Sequence, residues 1–351
     1  MKWLNGAAAT TGALLLLFVL PAESSAQDAA EKRQQALERR AKLSTLLSDY
    51  LVTHPEADLD GDGKLTSPER SKHVGKLYRQ KILKQLDGQI RFHGEVEYAR
   101  VGETSLQLDL YLPQDNTTKP PLVIWLHGGG WRGGSKDHCL VAFLATRGFA
   151  VASVEYRSTL VAPFPNNIHD CKGAIRWLRA NAATYGFDAE KIGVSGASAG
   201  GHLASLMGTS GEVKGLEGSV GGNTNESSRV QAVVNMCGVI DIAAWTNSER
   251  GLSLMLGLPF DAAKDNGAKQ LAALCNPQRH ISKDDPPLLV LHGDKDKSVP
   301  LKQSREFHAA YQKAGLESRL SVLKNTGHVS PHFTDAARQK QMTAFFTRHL
   351  R

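Results

Sequence analysis

Lys191-Ile-Gly-Val-Ser195-Gly196-Ala197-Ser198-Ala199-Gly200-Gly201-His202-Leu203 sets a short apolar run directly before a run of small residues. Lys191 to Ser195 reads as a buried strand, and Ala199 to Met207 opens a helix. The pattern G-x-S-x-G therefore falls on the turn between them, at Gly196-Ala197-Ser198-Ala199-Gly200. Glycines at both ends permit a sharp, strained turn that pushes the Ser198 hydroxyl clear of the backbone, with the Ala199 N–H beside it at a helix start. The pentapeptide alone is a modest signal, because small residues crowd many helix starts.

The flanking elements supply the context. Upstream, Leu122 to Leu126 is an apolar run after Pro120-Pro121, and Phe149 to Glu155 is another. Leu106, Leu108, Leu110 and Leu112 alternate with polar neighbours, the period of a half-buried strand. Ile168 to Tyr185 carries helical spacing. Downstream come strands at Val230 to Met236 and Leu288 to Leu291, then a helix, strand and helix over Leu301–Ala314, Leu320–Leu323 and Thr334–His349. Strands alternating with helices at this length predict a mostly parallel sheet covered on both faces.

Two further loops follow predicted strands. His127-Gly128-Gly129-Gly130-Trp131 comes after Leu122–Leu126, and a glycine run there lets the N–H groups of Gly129 and Gly130 approach a developing oxyanion. His292-Gly293-Asp294-Lys295-Asp296-Lys297-Ser298-Val299-Pro300 follows Leu288–Leu291, where a carboxylate belongs if the order is Ser, acid, His. Asp294 and Asp296 compete for that place. Asn325-Thr326-Gly327-His328 lies between the last strand and the last helix, making His328 the candidate general base. His127 and His292 are read as loop braces and His202 as a packing residue. Asp241 is read as a loop hydrogen-bonding residue, and the insert from Ala243 to Ile281 is expected to shape the pocket.

The chain has 351 residues, 41% hydrophobic and 22% charged, enough for a large core. Its net charge of +7 is spread along the chain rather than gathered into a basic stripe, which argues against a nucleic-acid reader. Lys2, the apolar run Ala13 to Leu20 and Ser24-Ser25-Ala26 read as an export signal cut after Ala26, too short for a comfortable membrane span. The expected location is therefore secreted or periplasmic, with no stable membrane span. Cys139, Cys171, Cys237 and Cys275 show no zinc spacing; Cys237 and Cys275 are candidates for a disulfide, and free buried thiols are the alternative.

Residues 27–88 read as a helical segment around one calcium loop at 58–69, ahead of a catalytic domain at 90–351. Asp58, Asp60 and Asp62 stand at positions 1, 3 and 5, and Lys64 offers its carbonyl at position 7. Gly63 supplies the turn at position 6, and Glu69 at position 12 can bind through both oxygens. Calcium is the expected ion. A second such loop is not found in the sequence, so a structural or weak extracellular site is expected rather than a sensor.

From about residue 95 onward the chain resembles the α/β-hydrolase carboxylesterases, near the hormone-sensitive-lipase-like group and nearer still to secreted acetyl-xylan and feruloyl esterases. The residues that carry the resemblance are Leu108-Asp-Leu-Tyr-Leu-Pro113, the His127 glycine loop with Trp131, Glu155-Tyr-Arg157, Phe164-Pro165, the Ser198 turn with Gly201, the Asp296 loop and Gly327-His328. The resemblance implies an α/β-hydrolase fold and a triad of Ser198, Asp296 and His328. Its acid loop, H-G-x-x-D-x-x-V-P, selects Asp296 and leaves Asp294 to shape the turn. The implied activity is hydrolysis of short acyl esters, such as acetyl groups on polysaccharide, with no cofactor for catalysis. Two other readings stay open: a prolyl-oligopeptidase-like peptidase, and a calcium-dependent binding protein with an inactive hydrolase domain.

Overall fold

Of the runs read above, Leu122–Leu126, Val230–Met236 and Leu288–Leu291 become strands at the centre of the sheet, while Leu320–Leu323 forms a partly exposed one. The computed structural model describes residues 22–115, 117–211, 213–246, 249–258 and 266–351. The start of the expected leader lies outside them, and Ala26 falls within the first helix. The chain divides into two compact units, with the boundary between Leu65 and Thr66. Among the described residues no helix is long and apolar enough to cross a membrane.

The first unit holds α1 (Ala22–Thr53), a 3-10 turn at Pro55–Ala57 and the acidic loop as far as Leu65. In that loop the Asp58 carboxylate accepts the N–H groups of Gly61 and Gly63, each at 2.9 Å. Asp60 accepts from Asp62 at 3.2 Å and Asp62 from Lys64 at 2.8 Å. Gly63 takes φ +77°, the left-handed turn that the sixth position of a calcium loop needs.

The second unit opens with α2 (Ser67–Gln85), whose N-terminus is closed by a capping box between Thr66 and Glu69. The sequence-based boundary near residue 89 groups α2 with the acidic loop; the structure puts it with the sheet. Apolar packing and charge both hold it there: Ile82 and Leu83 of α2 pack against the sheet's core, and the helix carries a paired cation. Arg79 of α2 reaches Asp137 at 2.6 Å, Glu95 at 2.7 Å and Asp109 at 2.9 Å, and Lys136 joins the same cluster at 2.7 Å from Asp109. Asp109 has no exposed surface, so these cations are what keep it paired.

There follow β1 (Ile90–Val101), β2 (Thr104–Pro113), β3 (Pro121–Leu126), β4 (Ala150–Val154), α3 (Asn166–Ala180), α4 (Ala182–Tyr185), β5 (Asp188–Ala197) and α5 (Ala199–Thr209). Then come β6 (Ala232–Met236), α6 (Ile242–Thr246), α7 (Glu249–Leu256), α8 (Asn266–Leu274), β7 (Leu288–Gly293), α9 (Leu301–Lys313), β8 (Ser318–Leu323) and α10 (Ala336–Leu350). The strands form one sheet in the order β1-β2-β4-β3-β5-β6-β7-β8. β2 runs antiparallel to both β1 and β4; from β4 to β8 every pairing is parallel. An α/β-hydrolase fold results.

Alternation along β3 separates two cores. Leu122, Ile124 and Leu126 pack on one face with Ile168, Ile175 and Leu203, while Val123 and Trp125 pack on the other with Met342 and Phe346. Every residue of β3, β4, β6 and β7 is buried, as a sheet with helices on both faces requires. The four cysteines are free and buried, so Cys237 and Cys275 are not joined.

Candidate active site

Ser198 sits between β5 and α5 at φ +55°, ψ −120°, a conformation that non-glycine residues rarely hold. Its neighbours explain how the turn closes. A Cβ on Gly196 would lie 2.2 Å from the Gly200 carbonyl oxygen, and one on Gly200 would lie 2.0 Å from that of Leu126. Only hydrogen fits at either place. The turn is further pinned by the Ser198 N–H, which donates to the Met236 carbonyl at 2.9 Å.

His328, on the loop after β8, spans the gap between serine and acid. Its Nε2 lies 2.8 Å from Ser198 Oγ, and its Nδ1 lies 2.7 Å from Asp296 Oδ2. That pattern assigns the proton to Nδ1 and leaves Nε2 to accept from the hydroxyl. The Asp296 side chain is wholly buried; His328 keeps 22% of its side chain exposed. The Asp296 carboxylate also accepts the N–H groups of Ser298 at 2.8 Å and Val299 at 2.9 Å. Asp294 instead accepts from the Thr326 N–H, at 3.3 Å. Of the two competing aspartates, Asp296 is the one beside the imidazole.

Electrostatics follow from these contacts. Burial alone would raise the Asp296 carboxyl, but hydrogen bonds from His292, His328 and the Val299 N–H outweigh it and hold the group well below the ordinary carboxylate range. Burial alone would lower His328, yet its bond to Asp296 and the neighbouring Cys237 thiol outweigh that and raise it above 6.5. The Cys237 sulfur lies within 4.8 Å of ring and carboxylate atoms of His328 and Asp296, a neighbour the sequence did not announce. His292 braces the acid loop, with Nδ1 2.6 Å from Ser304 Oγ and Nε2 2.9 Å from the Val299 carbonyl. His202 is buried at 2.7 Å from the Cys275 carbonyl, and burial pushes it down to about 4, so it stays neutral.

The glycine loop comes to the same place. Gly128, Gly129 and Gly130 line a cleft of about 470 Å³ together with Ser198 and His328. A Cβ on Gly128 would lie 3.4 Å from Ser198 Cβ, so the loop backbone passes directly over the serine. Gly129 takes φ +123° against the Gly133 carbonyl, and the His127 carbonyl accepts the Tyr156 hydroxyl at 2.7 Å. Ala199 N–H is the first of α5, where helix geometry provides no acceptor. Gly129 and Gly130 thus line the space in front of Ser198, and Ala199, the next residue in the chain, opens α5.

The remaining walls differ from expectation. Among the described residues, none that lines this cleft comes from the insert 243–281; Arg70, Ser71, Val74 and Gly75 of α2 do, with Ser298 and Val329 opposite. Among the insert's described residues, Trp245 Nε1 donates to the carbonyl of the lining residue Ser298 at 2.8 Å, and its ring meets that of Trp131 edge-on. No spacing signal ties α2 to Ser198, so sequence reasoning missed these residues.

Comparison with known proteins adds the lineage. Esterase LipQ of Mycobacterium tuberculosis is 33% identical over 277 residues, covering 76% of this chain and 61% of that protein. The probable carboxylic ester hydrolase LipM of the same organism is 32% identical over 220 residues, covering 61% of this chain and 50% of that one. The chain thus spans between half and two thirds of the length of these relatives. A truncated carbohydrate esterase from gut microbiota superimposes with a TM-score of 0.68 at 31% identity, over 75% of this chain and 98% of that structure. The BD-FAE family model matches residues 108–311, from β2 through α9, and the chain belongs to the BD-FAE family.

Proposed function

We propose that this protein is a serine carboxylic-ester hydrolase acting through an acyl-enzyme on short acyl esters, such as acetyl groups on polysaccharide. The observation that carries the reading is the hydrogen-bonded line Ser198–His328–Asp296 opening onto a glycine-walled cleft. Ser198 Oγ attacks the acyl carbonyl while His328 Nε2 takes its proton. The N–H groups of Gly129, Gly130 and Ala199 hold the oxyanion. Collapse expels the alcohol, which receives the proton from His328, and water activated by the same imidazole then releases the acid. Asp296 orients the ring and stabilises its charged form. Carbohydrate and ester substrates in the names of similar proteins support the acyl class.

The test is hydrolysis of 4-nitrophenyl acetate and acetylated xylan by the protein and by Ser198→Ala. Loss of turnover and of labelling by a fluorophosphonate probe in the variant is expected; unchanged turnover would overturn the reading.

We further infer that Asp58, Asp60, Asp62, the Lys64 carbonyl and Glu69 hold one calcium ion, a reading supported by the motif and by the left-handed turn at Gly63. Bound there, a calcium ion would cross-link the loop through carboxylate and carbonyl oxygens. Export with cleavage after Ala26 is proposed from the leader pattern; an N-terminus at Gln27 in the secreted protein is the check.

A further inference from the structure

The glycine loop does not hold its shape unaided. Gly129, Gly130 and Trp131 have φ of +123°, +61° and +61°, three successive residues on the left-handed side. Glycine takes such angles freely, but a bulky side chain does not, so Trp131 stays there only because its surroundings over-determine it. The Gly129 carbonyl accepts the N–H groups of Arg132 at 3.2 Å and Gly133 at 3.0 Å, and the Trp131 carbonyl accepts that of Thr159 at 2.8 Å. The Trp131 ring is buried, and its Nε1–H makes no hydrogen bond among the described residues, so packing fixes the ring. Two other rings meet it edge-on: His202 of α5 at 5.5 Å between centroids, and Trp245 of α6 at 5.8 Å.

Trp245 is itself tied to the loop of the triad acid. Its Nε1 donates to the Ser298 carbonyl at 2.8 Å, and the Ser298 N–H donates to the Asp296 carboxylate at 2.8 Å. α6 is anchored to α9 as well. The buried Gln303 side chain accepts the N–H groups of Ile240 at 2.9 Å and Asp241 at 2.7 Å, and donates to the Asp241 carbonyl at 3.1 Å. The Asp241 carboxylate then accepts the Ala244 N–H at 3.0 Å, next to Trp245 in the chain. One indole therefore meets the glycine loop with its ring and the acid loop with its N–H.

We propose that Trp245 is a positioning residue: it walls Trp131 into its left-handed conformation and so keeps Gly129 and Gly130, the proposed oxyanion donors, in place. Its own bearing comes from the acid loop. Without the indole the Trp131 ring gains room to turn, the strained φ relaxes, and the two glycines shift along the shared backbone. A displaced donor fails the oxyanion more than it fails the ground-state ester, so the loss falls on kcat rather than on KM. The insert thereby acts on the chemistry through a loop it packs against. The assignment rests on the ester-hydrolase reading above.

The experiment measures kcat and KM for 4-nitrophenyl acetate, with kcat taken per serine labelled to completion by a fluorophosphonate probe, so that unfolded protein drops out. Trp245→Ala should lower kcat per labelled serine about 10- to 30-fold, less than outright loss of an oxyanion donor, with KM within about 3-fold. Trp245→Phe keeps a ring edge toward Trp131 and should return to within about 3-fold of the wild type. Trp245→Leu, which lacks that edge, should behave as Trp245→Ala and is read in its place if the alanine variant does not fold. In a Trp131→Ala background the ring to be walled is gone, and adding Trp245→Ala should cost less than about 3-fold. Losses under about 3-fold in both Trp245→Ala and Trp245→Leu, or a loss carried by KM, overturn the proposal. So does Trp245→Phe no better than Trp245→Ala, or an undiminished loss in the Trp131→Ala background. Either result leaves the ester-hydrolase reading standing if the wild type turns over the ester and Ser198→Ala does not.

Discussion

His328 Nδ1 lies 2.7 Å from Oδ2 of Asp296, a carboxylate with no surface exposed to solvent. That contact sets which imidazole nitrogen faces Ser198. Asp296→Asn should preserve the spacing while removing the charge that favours the correct tautomer and the imidazolium. Turnover of 4-nitrophenyl acetate should fall by about 10³- to 10⁴-fold with little change in KM. Steady-state kinetics on the two proteins decides it; a loss under 10-fold would remove Asp296 from the role.

The same contact makes a statement about pH. A general base works in its neutral form, and His328 is raised above 6.5 by Asp296 and Cys237 against the opposing effect of burial. At pH 6.5 most of it is therefore protonated, and kcat/KM should climb with pH above that value. In Asp296→Asn the residual rate should show its acid limb at lower pH, since burial then acts with less opposition. A limb that stays in place would separate His328 from the rate.

Gly200→Ala tests the turn itself. Its Cβ would fall 2.0 Å from the Leu126 carbonyl oxygen, backbone that cannot swing aside as a side chain can. Destabilisation of about 3 kcal/mol or more is expected from a clash that must displace α5 or β3. Urea unfolding followed by circular dichroism gives the value.

Arg79→Ala tests how α2 is held. The substitution leaves buried Asp109 with Lys136 as its remaining nearby cation, so the cost should approach the lower end for a broken buried pair, about 3 kcal/mol. A change below about 0.5 kcal/mol in denaturant unfolding would show that the cluster is not what fixes the helix.

Calcium at the 58–69 loop should register as stability. With an affinity near 1 mM, typical of extracellular sites of this kind, 10 mM calcium should add about 1.4 kcal/mol by mass action. Glu69→Gln should lower the affinity seen by titration calorimetry. Absence of any heat or stabilisation in the wild type would leave the loop as an acidic turn.

How much of this was legible before the fold was known follows burial. β3 and the Leu288–Leu291 part of β7 are apolar throughout because helices cover both faces, and unbroken apolar runs stand out in a sequence. β1 did not announce itself as a strand. It is an edge strand with register shifts between His93 and Val96 and between Glu97 and Ala99, so its apolar residues keep no steady period. The chemistry was legible as three loops, each behind a strand. The choice between Asp294 and Asp296 rested on resemblance, because two residues apart on one loop both meet the required order.

Ser198 on its turn, the glycine run and His328 were local matters, set by residues adjacent in the chain and readable from them. Gly196 and Gly200 permit the turn, because a Cβ at either position would run into backbone. The cleft wall was decided by tertiary structure alone. Arg70 comes to the serine because Arg79, farther along the same helix, satisfies a buried Asp109, and Gly75 lets that helix lie against Ser135 and Asp137. Contacts between residues far apart in the chain depend on which charges must be paired once water is excluded, and linear spacing does not encode that.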